Sequence, residues 1–351
     1  MDEIQESPVN ASDRLPFPGN RKEEEERTAL PLTRQTRRRD VLVWVFVPFL
    51  LLLSLQEGLA KEPEQWEVLP AEELFVLEGS PGMPFRQPTD VAVGPENRIF
   101  VMDGLSSRVA AFDEGGAYLR SFGTRGSAPG EMLMPVGIGV SPSGEVFVAD
   151  TGNHRIQVFS PTGNFLRLFP LVTGEKGDPT DVLPSSFKHL CYVCDNDNHQ
   201  IQVYDATTGE FVSAWGAKGK NLGEFRYPAT LTMDSENNVY VVDVMNARIQ
   251  TFNSYGERAW EVVAWGVGLD RLFRPKGVAV DRSQRVFVSD SYVGIVRVFL
   301  PGGDLFGFIG DATGEEKRRF TTPTNIVLDQ RGRLLVVETR ANRVSVYRMR
   351  E

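Results

Sequence analysis

Sulfur and imidazole are scarce in this chain: 351 residues include two cysteines and three histidines. Cys191 and Cys194 lie three apart in an alternating apolar run, so they point to opposite faces of a strand. At strand rise their Cα atoms are about 10 Å apart, out of disulfide range. The run CYVCD has no histidine after its second cysteine, which excludes covalent haem attachment. Two cysteines also fall short of a zinc set. Both read as small apolar packing residues. A Gly–Lys phosphate loop and a nucleophile elbow are missing. So is any basic excess. The formal net charge is −9, and residues 61–351 carry 30 bases against 37 acids. A domain of that sign repels phosphate backbones, which argues against a nucleic-acid partner.

What the chain has is repetition. Gly144 to Phe159 reads GEVFVADTGNHRIQVF: an alternating run ending in an acid, a polar turn, and an Arg opening a second run. The same phrase occurs six times. Its acids are Asp103, Asp150, Asp195, Asp243, Asp290 and Glu338, spaced by 47, 45, 48, 47 and 48 residues. A fixed period of this size signals a repeat architecture. Each repeat holds four strand-like runs. In the second they are Pro135–Val140, Glu145–Ala149, Arg155–Phe159 and Phe165–Phe169, separated by Ser-Pro-Ser-Gly and Ser-Pro-Thr-Gly-Asn turns. First strands start at Pro88, Pro135, Pro179, Pro228, Pro275 and Pro323, a position that tolerates a missing N–H. Fourth strands tend to end in an apolar residue and glycine: Phe122-Gly123, Trp215-Gly216, Trp265-Gly266 and Ile309-Gly310. The sixth repeat stops after its third strand, while residues 73–79, ELFVLEG, read as a stray fourth strand before the first repeat. The expected fold is an all-β six-bladed β-propeller of four antiparallel strands per blade, closed by that N-terminal strand. An open array of β-sandwiches is the runner-up, and the split last repeat argues against it.

Pro-x-Gly-Ile-Gly-Val, then Val-Phe-Val-Ala-Asp-Thr-Gly-Asn-His-Arg-Ile-Gln-Val-Phe, then a glycine turn and Phe-Leu-Arg resembles the NHL repeat. The second repeat carries it nearly throughout, the fourth well, and the others in outline. The resemblance implies the propeller fold. It leaves function open, because the family's propellers serve as scaffolds, sensors, RNA binders and a few enzymes.

Ahead of the repeats, residues 1–40 are polar and mixed in charge, with Glu23–Glu26 and Arg37–Arg39 as blocks; the expectation is disorder. Val41 to Leu55 is a fifteen-residue apolar run. A spanning helix needs about 20 such residues, whereas this length suits a signal-peptide core. Basic residues precede it, and Gly58 and Ala60 sit at −3 and −1 of a cut before Lys61. Arg38-Arg39-Asp40-Val41-Leu42 also resembles a twin-arginine signal. Residues 41–60 are therefore a cleaved signal peptide or a retained membrane anchor, and 61–351 form the propeller. Either way the propeller is expected outside the cytoplasm, periplasmic or extracellular, or held at the inner membrane by residues 41–55.

In four repeats the acid is followed five residues later by Arg: Asp103/Arg108, Asp150/Arg155, Asp243/Arg248 and Glu338/Arg343. An Arg fork can hold the carboxylate and also donate to turn carbonyls. Repetition marks these pairs as structural clamps on a turn or toward a neighbouring blade, since a chemical site is usually unique. Gln200 and Ile295 replace the Arg in the third and fifth repeats, which leaves Asp195 and Asp290 without that partner. Two residues after each Pro come Asp90, Gly137, Asp181, Thr230, Gly277 and Asn325, a ring at the channel mouth. Asp90, Asp181 and Asn325 are the candidate ligands for a hard cation such as Ca²⁺; the alternative is a ring capping backbone N–H groups. His154 and His199 are expected on exposed turns, with His189 at the opposite face, so the three do not converge on zinc.

Three functions compete. The first is an exported, monomeric, non-catalytic scaffold that needs no cofactor and docks a protein or extracellular polymer on one face. The second is a metal-dependent hydrolase or lactonase working in the channel. The third, RNA binding, is opposed by charge and export.

Overall fold

The computed structural model describes residues 67–185, 187–257, 260–263, 270–310 and 320–349. The expectations for residues 1–40 and 41–60, and for Trp265-Gly266, lie outside these.

Six four-stranded antiparallel sheets form the blades. Blade 1 runs outward from the axis as Pro88–Val93, Ile99–Asp103, Arg108–Phe112 and Tyr118–Phe122. Blades 3, 4 and 5 repeat the order from Pro179–Pro184, Pro228–Met233 and Pro275–Val280. In blade 2 the regular inner strand is only Ile138–Val140, although Val136 N–H still donates to Ala149 O at 3.1 Å. The start of the inner strand is irregular elsewhere too, with register shifts after Pro88, Pro179, Pro228, Pro275 and Pro323. Blade 6 takes Pro323–Leu328, Arg333–Glu338 and Arg343–Met349, and its outer strand is Ala71–Leu77 from the other end of the chain. The closing strand thus sits two residues earlier than its sequence pattern implied.

Period-2 alternation explains how the ring holds together. Each strand sends alternate side chains to its two neighbouring blades. Ile99 and Val101 pack against blade 6, with Leu335 and Val337. Phe100 and Met102 pack against blade 2, with Val146 and Val148. The cysteines follow the same rule: Cys191 lies in the core between blades 2 and 3, Cys194 in that between blades 3 and 4. Both are free and buried. Six such cores close the circle, so each blade packs against a neighbour on both sides.

Candidate functional site

The repeated acids are fully buried, and each does the same two jobs. One oxygen accepts the backbone N–H of the residue seventeen earlier, in the connection entering the blade: Arg86 for Asp103, Leu133 for Asp150, Asp178 for Asp195, Arg226 for Asp243, Phe273 for Asp290 and Thr321 for Glu338, at 2.7–3.0 Å. In five of the acids the other oxygen faces the blade's third strand, and Arg108, Arg155, Arg248 and Arg343 donate Nε to it at 2.8–2.9 Å. In Asp290 the same Oδ2 also takes the third-strand donor Arg297, while Oδ1 accepts the N–H groups of Tyr292 and Val293. The guanidinium ends of Arg108, Arg155 and Arg248 reach carbonyls of the same entering connection; Arg155, for example, donates to Ser127, Ala128 and Glu131. The clamp therefore ties a turn to the loop that arrives from the preceding blade. A further donor lies seven residues after the acid: Gln157, Gln202, Gln250, Arg297 and Ser345. Asp195 and Asp290 are thus not left without partners. Asp195 accepts from Gln200 and Gln202, Asp290 from Arg297.

Pro88 pairs with Asp103, and the inner strands of blades 3 to 6 pair likewise. That register puts the start of these inner strands beside the turn between strands two and three. Asp90, Asp181, Thr230 and Asn325 consequently line one cavity of about 370 Å³ on the axis. Asp90 and Asn325 touch, through Asn325 Nδ2 and Asp90 Oδ1. The remaining contacts are to backbone. Asp90 accepts from Val91 at 2.6 Å and, in the next blade, from Ile138 at 2.7 Å. Asp181 accepts from Val182 and, in the next blade, Leu231, both at 2.7 Å. Asn325 Oδ1 accepts from Ile326. As arranged, the candidate cation ligands form a network of N–H acceptors that stitches blade to blade. Gly137 and Gly277 contribute closeness: a Cβ on either would lie 2.6 Å from the next blade's backbone.

Burial pushes the Asp90 carboxyl up to about 6, against the opposing pull of Asn325 and two backbone N–H groups. Asp181 is raised well above the usual carboxylate range, by burial first and by the charge of Asp90 second. The two acids, two blades apart in sequence, are therefore close enough to sense each other. Among the described residues no group of three or more His, Cys, Asp or Glu could hold a metal ion.

Sequence reasoning missed the collar around these acids. Thr89, Thr180, Thr324 and Thr339 line the same cavity, with Asn196 and Lys276. A signal was present: Pro-Thr-Asp, Pro-Thr-Asp and Pro-Thr-Asn open blades 1, 3 and 6. The histidines need correction. His199 is buried, accepts the Tyr227 N–H through Nδ1 at 3.1 Å, and packs edge-on against that ring at 4.7 Å. His154 is half-buried and pairs Nδ1 with Gly177 O at 2.6 Å. Both occupy left-handed turn positions, φ 55° and 56°, and Gly177 and Tyr227, from the connections entering the next blades, lie against the rings. His189 lies in the turn between strands one and two, at the other face. Burial drives both thiols far above the ordinary cysteine value, which leaves them unreactive.

The channel-mouth face also carries an apolar groove. Tyr227, Met245, Phe273 and Tyr292 line a depression of about 700 Å³ between blades 4 and 5, together with Arg274 and Lys276. Their exposures are 38, 58, 51 and 70%. Phe273 and Tyr292 stack at 4.6 Å, tilted by 37°.

Comparison with known proteins agrees with this architecture. The family described as the NHL repeat matches residues 132–159, and one described as a 6-bladed beta-propeller matches residues 185–261. The chain is a six-bladed β-propeller that carries an NHL repeat at residues 132–159. It is 29% identical over 144 residues to the protein brain tumor of Drosophila melanogaster; that match covers 40% of this chain and 13% of the relative. Among solved structures it resembles a gluconolactonase from Xanthomonas campestris (TM-score 0.60, 15% identity, 80% of this chain and 89% of that one). It also resembles a streptogramin B lyase (TM-score 0.57, 11% identity, 82% and 100%). Virginiamycin B lyase from Staphylococcus aureus is a further likeness (TM-score 0.53, 11% identity, 74% and 80%). At these identities the likeness is one of fold.

Proposed function

We propose that the protein is an exported, non-catalytic binding module that holds an acidic, apolar-rich segment of a partner protein in the groove between blades 4 and 5. The observation that carries this reading is the groove itself. Four large apolar side chains stay exposed there and converge in one depression. Exposed aromatic and methionine side chains gathered in one place mark interaction surfaces. Arg274 and Lys276 at its edge supply charge that acidic residues of a partner would meet. Export rests on the apolar run of residues 41–55 and its basic flank.

The rival reading is a metal-dependent hydrolase centred on Asp90 and Asp181. Those carboxylates already serve as acceptors for backbone N–H groups of their own and the next blade, the role a scaffold requires of them.

Site-directed photocrosslinking tests the proposal. A benzophenone side chain at position 292 is expected to trap a discrete partner in the native cell. The same group at Tyr255, exposed in a turn of the opposite face, is expected to trap none. Equal trapping at both positions, or none at 292, would refute the groove.

A further inference from the structure

The channel mouth has an unbalanced set of hydrogen-bonding groups, and the imbalance specifies a ligand. A threonine hydroxyl has one proton to give. Thr89 gives it to Val136 O at 2.7 Å, Thr180 to Ala229 O at 3.1 Å, Thr230 to Lys276 O at 2.6 Å and Thr339 to Pro88 O at 2.8 Å. Thr324 lies 2.8 Å from the Thr339 hydroxyl, whose own proton is already committed, so Thr324 donates there. All five line the cavity. Each spends its proton on the ring's own stitching, and what remains for the channel is lone pairs. A molecule that pairs with this collar must bring hydrogen-bond donors.

Among the described residues lining the cavity, Lys276 is the one cation, beside the carboxyls of Asp90 and Asp181. It is half-buried and lines the same cavity. Among the described residues no hydrogen bond or ion pair engages its ammonium group. Burial, and secondly the nearby Arg274 guanidinium, hold it below the ordinary lysine value. Both effects would be relieved by an anion. The cavity, about 370 Å³, falls in the size range of small-molecule sites.

We propose that the channel mouth binds a small polyhydroxylated carboxylate, its carboxylate on Lys276 and its hydroxyls donating to the threonine collar. The two halves of the site impose separate demands. A carboxylate without hydroxyls leaves the collar unserved, and a polyol without a carboxylate leaves Lys276 unpaired. A site built for polar partners discriminates strongly against analogues that lack them.

Calorimetric titration of the full-length protein at low salt tests this with three probes. D-gluconate carries both features, hexanoate only the carboxylate, sorbitol only the hydroxyls. Gluconate is expected to bind at least tenfold more tightly than either of the others. Lys276→Met is expected to weaken gluconate at least tenfold while the melting temperature holds. Absence of gluconate binding, hexanoate or sorbitol binding as tightly, or undiminished binding by Lys276→Met would each overturn the proposal. The probe series needs no variant, so the test stands even if Lys276→Met fails to fold.

Discussion

Asp290 takes its charge-assisted hydrogen bond from Arg297, at 2.7 Å, and not from the residue five along, where Ile295 stands. Blades 2 and 4 place Arg at that fifth position and Gln at the seventh. Blade 5 keeps the cation and moves it by one side-chain period, so it still faces the same carboxylate. Arg297→Met should destabilise the protein by roughly 3–5 kcal/mol, because it strands a fully buried charge. Ile295→Arg combined with Arg297→Gln recreates the blade 2 arrangement and should recover part of that loss in a denaturant titration. A double variant no better than Arg297→Met would mean that the two positions are not equivalent.

Asp150 accepts from Leu133 N–H, Asn153, Arg155 and Gln157. Asp150→Ala removes all four acceptor contacts at a position with no access to water. The expected cost is about 3 kcal/mol or more, read as a fall of several degrees in melting temperature. An unchanged melting temperature would contradict the clamp.

Asp90 predicts a pH signature. Its folded value is raised to about 6, above the unfolded value near 3.9. Between those limits the folded state binds more protons than the unfolded state, so this group's contribution to stability falls as pH rises. Asp90→Asn abolishes the titration. The variant should therefore compare worse with the parent at pH 4 than at pH 7, in chelator-treated protein. A penalty that grows toward neutral pH would show the reverse linkage.

The same network predicts the response to calcium. Asp90, Asp181 and Asn325 satisfy their oxygens with N–H donors. Millimolar Ca²⁺ should leave the melting temperature within about a degree. A saturable rise of several degrees, lost in Asp181→Asn, would instead make these residues a cation site, since a ligand selective for the folded state stabilises it by mass action.

Much of this molecule was legible in its sequence, and the reasons are physical. A 45–48-residue period survives because every blade solves the same packing problem with the same alternation, seen in Val146, Val148 and their counterparts Ile99 and Val101. The clamps were legible because Asp150 and Arg155 are near in sequence and recur. The helper at Gln157 was overlooked, although Gln202 and Gln250 repeat it. Contacts between blades were not legible. The reach of Asp90 to Ile138, 48 residues away, depends on ring closure. So does the convergence of Tyr227, Met245, Phe273 and Tyr292, which belong to two repeats. The burial of His199 was missed because its turn looks polar and Tyr227, whose N–H and ring lie against it, comes 28 residues later in the next blade.

Export can be checked by itself. Residues 1–60 fused to alkaline phosphatase, which is active only outside a reducing cytoplasm, should give enzyme activity that deletion of 41–55 abolishes. Activity unaffected by the deletion would contradict export through this segment.

The most direct test of the docking groove compares its two anchor rings with an exposed ring on the opposite face. The partner trapped at position 292 is titrated against the parent, against Phe273→Ser with Tyr292→Ser, and against Tyr255→Ser. Aromatic anchors of this kind contribute about 2 kcal/mol or more. The groove variant should bind at least tenfold more weakly at unchanged melting temperature, with Tyr255→Ser indistinguishable from the parent. Equal affinity of all three, or loss only in Tyr255→Ser, would contradict the assignment of the binding surface to blades 4 and 5.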